Sequence, residues 1–181
     1  VTDLSPEDPP LPDESDPSSA TPLAIEITID PQVSAPINQG QLRRVITAAV
    51  KRGGFHCGEI GLRITNDPTI QELNARHLDH DYPTDVISFG YSAEPPTIEG
   101  EMVVSVDTAR VRAQELGWSI DNELCLYVAH GSLHIIGMDD HDPIERAAMR
   151  AAESEIMKEL GIVEIERFGA DVESLSREPS A

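Results

Sequence analysis

The sequence predicts an α+β domain, a small mixed β-sheet of about four strands covered by about five helices, with a metal site on a central helix. Three observations carry this reading. Residues 24–30 and 57–66 alternate apolar and polar side chains, as half-buried strands do. Other segments repeat apolar residues at three- and four-residue spacing, between cap residues and glycines that mark helix ends. One such helix carries His130 and His134, four residues apart within an apolar run.

The elements follow in order. The first strand is Ala-Ile-Glu-Ile-Thr-Ile-Asp, residues 24–30. Asn38 then caps a helix, with Gln41 three residues on and Leu42, Val45, Ile46, Ala49 and Val50 on one face. Gly53 and Gly54 stop it, and Arg43, Arg44, Lys51 and Arg52 lie on its polar side, as a solvated face or a phosphate-contacting patch. Ile60, Leu62 and Ile64 alternate in the second strand. Asp67-Pro68-Thr69 opens a helix bearing Ile70, Leu73 and Asn74. Residues 86–89 read as a short buried strand, 91–97 as a proline-containing loop, and 101–106 as a strand that pairs back through that loop. Asp107-Thr108 caps a helix reaching about Leu116, which Gly117 ends. Asp121 or Asn122 caps the most apolar helix, which carries Leu124, Leu126, Val128, Leu133 and Ile136 besides the two histidines. A last helix runs from Pro143 to Leu160 and stops at Gly161.

Composition narrows the function classes. The net charge is -20, from 33 acidic against 13 basic residues. Residues 1–22 hold acids, prolines and serines but no Lys or Arg, and read as a disordered acidic tail. Residues 23–163 form the single folded domain, and 164–181 a C-terminal tail. The domain itself is acidic, which argues against a broad nucleic-acid-binding face, so any such binding rests on a local patch or on a metal. No apolar run reaches the roughly 18 residues of a membrane helix. The start lacks the basic flank and apolar core of a secretory signal. Cys57 and Cys125 read as free buried thiols of a reducing compartment.

The chemistry concentrates between His130 and His141. Residues i and i+4 of a helix share a face, so His130 and His134 can reach one cation. Gly137 can end the helix in a left-handed turn and return the chain with a third ligand. Three protein ligands and an open position describe a catalytic zinc site. In the peptidase version of such a helix, a glutamate follows the first histidine as general base. Here Gly131 stands there, which argues against a peptidase. Asp139 either holds a ligating imidazole by its second nitrogen or turns the chain; Asp85 either shapes its own turn or approaches the metal. Ser88 and Ser105 read as strand residues, and His56 and His80 as surface histidines.

Several blocks together resemble the YbeY-type endoribonucleases, or rRNA maturation factors, over roughly residues 24–160. The metal block looks like that family's H-G-x-L-H-x-x-G-x-D-H. Residues 83–89, Pro-Thr-Asp-Val-Ile-Ser-Phe, look like its P-T-D-V-L-S-F, and residues 100–109 look like its G-D-I-x-I-S-x-D-T-A. Leu73-Asn74 fits the L-N that precedes them. The resemblance implies a cytoplasmic, zinc-dependent endoribonuclease specific for single strands, with no DNA or membrane partner. It would act on small-subunit rRNA at its 3′ end and in ribosome quality control, alongside the small subunit and its assembly factors. His130 and His134 would be the catalytic, metal-holding pair.

Two positions depart from the family pattern. The family's third histidine falls six residues after the second, where this chain has Asp140, with His141 next. Spacing favours Asp140 as third ligand, and ligand type favours His141. The family's Y-R pair falls on His77 and Leu78, and Leu78 cannot contact phosphate as an arginine would. A rival reading is therefore a ribosome-assembly binding protein with a mainly structural zinc.

Overall fold

A computed structural model describes residues 21–162. The readings for 1–20 and 163–181 fall outside the described residues. Nine elements follow one another: β1 (Ala24–Ile29), α1 (Gln39–Arg52), β2 (Cys57–Thr65), α2 (Asp67–Leu78), β3 (Val86–Glu94), β4 (Thr97–Ser105), α3 (Val106–Leu116), α4 (Ile120–Ile135) and α5 (Pro143–Glu159). Thr21 and Pro22 already run beside β2. The Thr21 carbonyl accepts from Gly58 N at 3.1 Å, and Pro22 bridges to Cys57.

The four strands lie in the order β1-β2-β4-β3. β1, β2 and β4 are parallel, and β3 pairs with β4 as an antiparallel hairpin. The alternation read in the second strand becomes a face: Ile60, Leu62 and Ile64 join Ile98, Met102 and Val104 of β4 beneath α1 and α4. Each such fully buried side chain contributes about 1.5–3 kcal/mol. The opposite face is smaller, with Ile87 and Val103 packed on Ile70 of α2 and flanked by Leu73 and Phe89. Helix α4 is buried on almost every side, which explains why its sequence is apolar all round.

Helix α4 sits unusually close to the sheet. A Cβ at Gly131 would come within 2.9 Å of Met102 Sδ and 3.0 Å of a Val86 methyl. One at Gly100 would meet Ile135 Cγ2 at 2.7 Å and the Phe89 carbonyl at 2.9 Å. Both glycines are therefore packing positions rather than turns.

The motif blocks act as joints. Ser105 ends β4 and caps α3, accepting from Thr108 N at 3.2 Å. Its hydroxyl donates to Asp67, which also accepts from Thr108 Oγ1 at 2.7 Å. This ties the start of α2 to the start of α3. Buried Asn74 donates to the Tyr82 carbonyl at 2.8 Å, and the Asp85 carbonyl accepts from Ser105 N at 3.0 Å. The Pro83–Asp85 turn is thereby fixed from both sides.

Three boundaries differ from the sequence reading. Helix α4 is capped by Ser119, whose hydroxyl accepts from Asn122 N, and not by Asp121 or Asn122. Helix α3 is capped by Ser105, because the last strand residue doubles as the cap. Strand β3 continues to Glu94 and β4 begins at Thr97, so most of the expected loop is hairpin. Residues 90–94 are exposed on both faces, which leaves no alternation to read. On α1, Arg43 donates to the Ile25 carbonyl and Arg52 pairs with Glu155 at 2.5 Å, so half of the basic patch ties α1 to its neighbours.

Gly100→Ala should lower stability by about 1–3 kcal/mol through overpacking against Ile135. Gly40→Ala, where only Asn38 Oδ1 lies nearby at 3.6 Å, should not destabilise. Urea denaturation of the two variants checks the contrast.

Candidate metal centre

His130 and His134 lie on the last two turns of α4. Beyond them the chain turns at Gly137, whose φ of 96° is left-handed, with Gly137 N donating to the His134 carbonyl and Met138 N to Leu133. That return brings Asp140 back over the helix. Its two carboxylate oxygens stand 3.8 Å from His130 Nε2 and 3.7 Å from His134 Nε2. The donor atoms of the three residues form one compact group. All three side chains are half-buried.

The far side of each ring is held by the protein. His130 Nδ1 faces the Glu153 carboxylate at 2.7 Å, and Glu153 itself is buried on α5. His134 Nδ1 faces the Met138 carbonyl at 3.0 Å. Both partners accept, so both rings carry their proton on Nδ1. The two Nε2 atoms then face each other across 3.0 Å. Such an approach is favourable with a proton or a metal cation between them. Two nitrogens about 2.0–2.1 Å from one tetrahedral zinc would stand about 3.3 Å apart, so the donors fit such an ion after a small adjustment. A metal ligand whose second nitrogen is held by a carboxylate or carbonyl is the usual orientation of metal-binding histidines.

The electrostatics separate the two histidines. Burial opposes charge on His130, but the hydrogen bond to Glu153 and the charges of Glu153, Asp85 and Asp140 outweigh it and raise its pKa above the ordinary value. Burial, with the neighbouring His130 charge, lowers the pKa of His134. His141 does not group with the two histidines: its ring is 85% exposed and bonds Asp139, which raises its pKa, and with Asp139 and Asp140 it makes a second, more exposed group of possible metal donors. Asp139 therefore serves His141 and its own turn, bonding Asp140 N at 2.8 Å, rather than a ring of the cluster.

A cavity of about 170 Å³ opens beside the cluster, lined by Asp85, His130, Asp140, Arg150 and Glu153 with Leu126 and Tyr127. Asp85 thus does both things the sequence allowed: it accepts from Val86 N at 2.8 Å in its own turn, and it lines the metal cavity. Past Asp85 and Tyr127 a shallower groove continues towards Thr108 and Arg112. Ser88, Ser105, His56 and His80 are absent from this cavity, and Leu78 is 48% exposed on α2, outside it. His77 meets Phe89 edge-on instead.

Sequence reasoning missed Glu153 and Arg150. A signal existed for the first. Glu153 falls in the buried stripe of α5, among Met149, Ala152, Ile156 and Met157, where a carboxylate needs a partner. Cys125 is inert by contrast, its thiol pushed up to about 12 chiefly by burial.

A family model described as "Endoribonuclease YbeY" matches residues 28–161. A Rhodopirellula baltica protein named "Endoribonuclease YbeY" is 49% identical over 124 residues, covering 67% of this chain and 64% of that protein. A Salinibacter ruber protein of the same name is 36% identical over 149 residues, covering 78% of this chain and 93% of its own length. A solution structure from Thermotoga maritima shares the fold with a TM-score of 0.52 at 20% identity, covering 87% of this chain and 99% of its own.

Glu153→Gln should weaken metal binding about 10–100-fold, measured by chelator competition. The proton competes with metal at His130, so wild-type affinity should begin to fall while the pH is still above the ordinary histidine pKa. In the Gln variant, which lacks the carboxylate that raises His130, that fall should start at lower pH.

Proposed function

The chain belongs to the YbeY endoribonuclease family, and from that membership we propose that it is a zinc-dependent endoribonuclease specific for single-stranded RNA. Its substrate in this reading is small-subunit (16S) rRNA at the 3′ end, and its setting is the cytoplasm, with the small ribosomal subunit and its assembly factors as partners in maturation and quality control. The observation that carries the reading is a set of three donors, His130, His134 and Asp140, beside an open cavity. A structural zinc is closed by four protein ligands, whereas a catalytic one keeps a position for substrate. This favours an enzyme over a binding protein with a structural metal.

Two nitrogens and one carboxylate suit zinc. Bound there, zinc would polarise a phosphoryl oxygen and acidify water towards pH ~7. The chain's own residues do the rest. Glu153 and the Met138 carbonyl hold the Nδ1 protons of His130 and His134, which leaves both Nε2 atoms for a metal, and His130 lines the cavity. Asp140 adds a negative charge in place of the family's third histidine, which partly neutralises the metal. Helix α4 and the sheet keep Gly131 without a side chain, so the glutamate base of a peptidase has no room. Asp85 lines the same cavity. No helix among the described residues is long and apolar enough to cross a membrane.

His134→Ala should lower cleavage of single-stranded RNA by about 100-fold or more, since a ligand and the metal's contribution go together. Chelation of the wild type should do the same, and added zinc should restore only the wild type. Unchanged cleavage would remove the metal from the chemistry. Elemental analysis of a second pair separates the ligands: Asp140→Ala should lose zinc, and His141→Ala should retain it. Retention by both variants would overturn the three-ligand set.

A further inference from the structure

We propose that Arg150 is the residue that binds the RNA phosphate at this metal centre; the inference rests on the endoribonuclease reading above. Arg150 lines the metal cavity together with His130 and Asp140. It is the only Lys or Arg among the lining residues, and the other charged groups there are the carboxylates Asp85, Asp140 and Glu153. A phosphodiester entering this cavity meets three negative groups, so a fixed cation beside the metal is needed to hold it.

The geometry suits the task. Arg150 stands one helical turn before Glu153 on α5, with Nη1 3.4 Å from Glu153 Oε2 and its side chain 30% exposed. The guanidinium contacts Glu153, which lines the same cavity. A guanidinium carries five N–H donors in a planar fork, so it can engage a carboxylate on one edge and a phosphate on another. Glu153 in turn reaches His130 at 2.7 Å. One chain therefore runs from the phosphate-binding group through a buried carboxylate to a metal ligand. Leu78, at the position where the family resemblance implies an arginine, is apolar and outside the cavity. Arg150 supplies from α5 a positive charge at the cavity that Leu78 does not.

The test uses the zinc-loaded full chain, Arg150→Gln and Arg150→Lys. Binding of a short single-stranded 2′-O-methyl oligoribonucleotide is measured across a salt series, and KM and kcat are measured on cleavable RNA. Losing one phosphate contact should reduce the slope of log K against log salt by about 0.7 and weaken binding about 10-fold in Arg150→Gln. KM should rise more than kcat falls, and zinc content should stay at the wild-type level. Arg150→Lys should recover the slope but less of the affinity, because the ammonium lacks the fork. An unchanged slope in Arg150→Gln, with wild type still cleaving, overturns the role of Arg150 and leaves the endoribonuclease reading standing. Loss of zinc or of folding in both variants also overturns it, since Arg150 would then serve Glu153 alone. A wild type that neither cleaves nor binds RNA overturns the reading beneath it.

Discussion

The close seating of α4 on the sheet governs everything at the centre. Gly131 lets the helix backbone approach Met102 and Val86, and Gly100 on β4 makes room for the Ile135 side chain of the helix. That approach sets the depth at which His130 and His134 leave the helix, with one flank against the sheet and the other open to the cavity. It also decides the chemistry. The position after the first histidine is where a metallopeptidase carries its base, and here steric contact with Met102 and Val86 excludes any such group. Packing and reaction class are the same constraint seen from two sides.

The remaining order is electrostatic. The rings would be free to rotate without Glu153 and the Met138 carbonyl, and these acceptors come from opposite directions, one from α5 and one from the returning chain. Glu153 is costly to bury, and it is retained with two partners, His130 and Arg150. A negative cavity suits a divalent cation, and Arg150 is the one Lys or Arg among its lining residues. The overall acidity of the chain leaves any attraction for a nucleic acid to such a local group.

Much of this was legible beforehand, for definable reasons. The i, i+4 histidines and Gly137 encode their own geometry, since a helix places them on one face and a left-handed glycine reverses the chain. The strands of the core declared themselves by alternation at Ile60, Leu62 and Ile64. The hairpin did not, because residues 90–94 face water on both sides. Ser105 and Ser119 were missed as caps because a stronger-looking acidic residue followed each one. Glu153 was hidden by distance: it is 23 residues from His130, and only the docking of α5 makes them neighbours. Of the two candidates for the third position, spacing pointed to Asp140, which the turn brings beside both rings, and ligand type pointed to His141, which is exposed.

The connector between α4 and α5 has a consequence for how this chain can vary. Loops ordinarily absorb insertions and deletions, since little depends on their length. Residues 136–142 cannot. They carry the carbonyl that holds His134, the carboxylate beside both rings, and Asp142, which starts α5 through a capping box with Glu145. Adding or removing one residue before Asp140 would move its carboxylate off the histidines. A change after it would rotate α5 by about 100° and carry Glu153 away from His130. The segment is a ruler between two helices, and its tolerance to substitution exceeds its tolerance to any change in length.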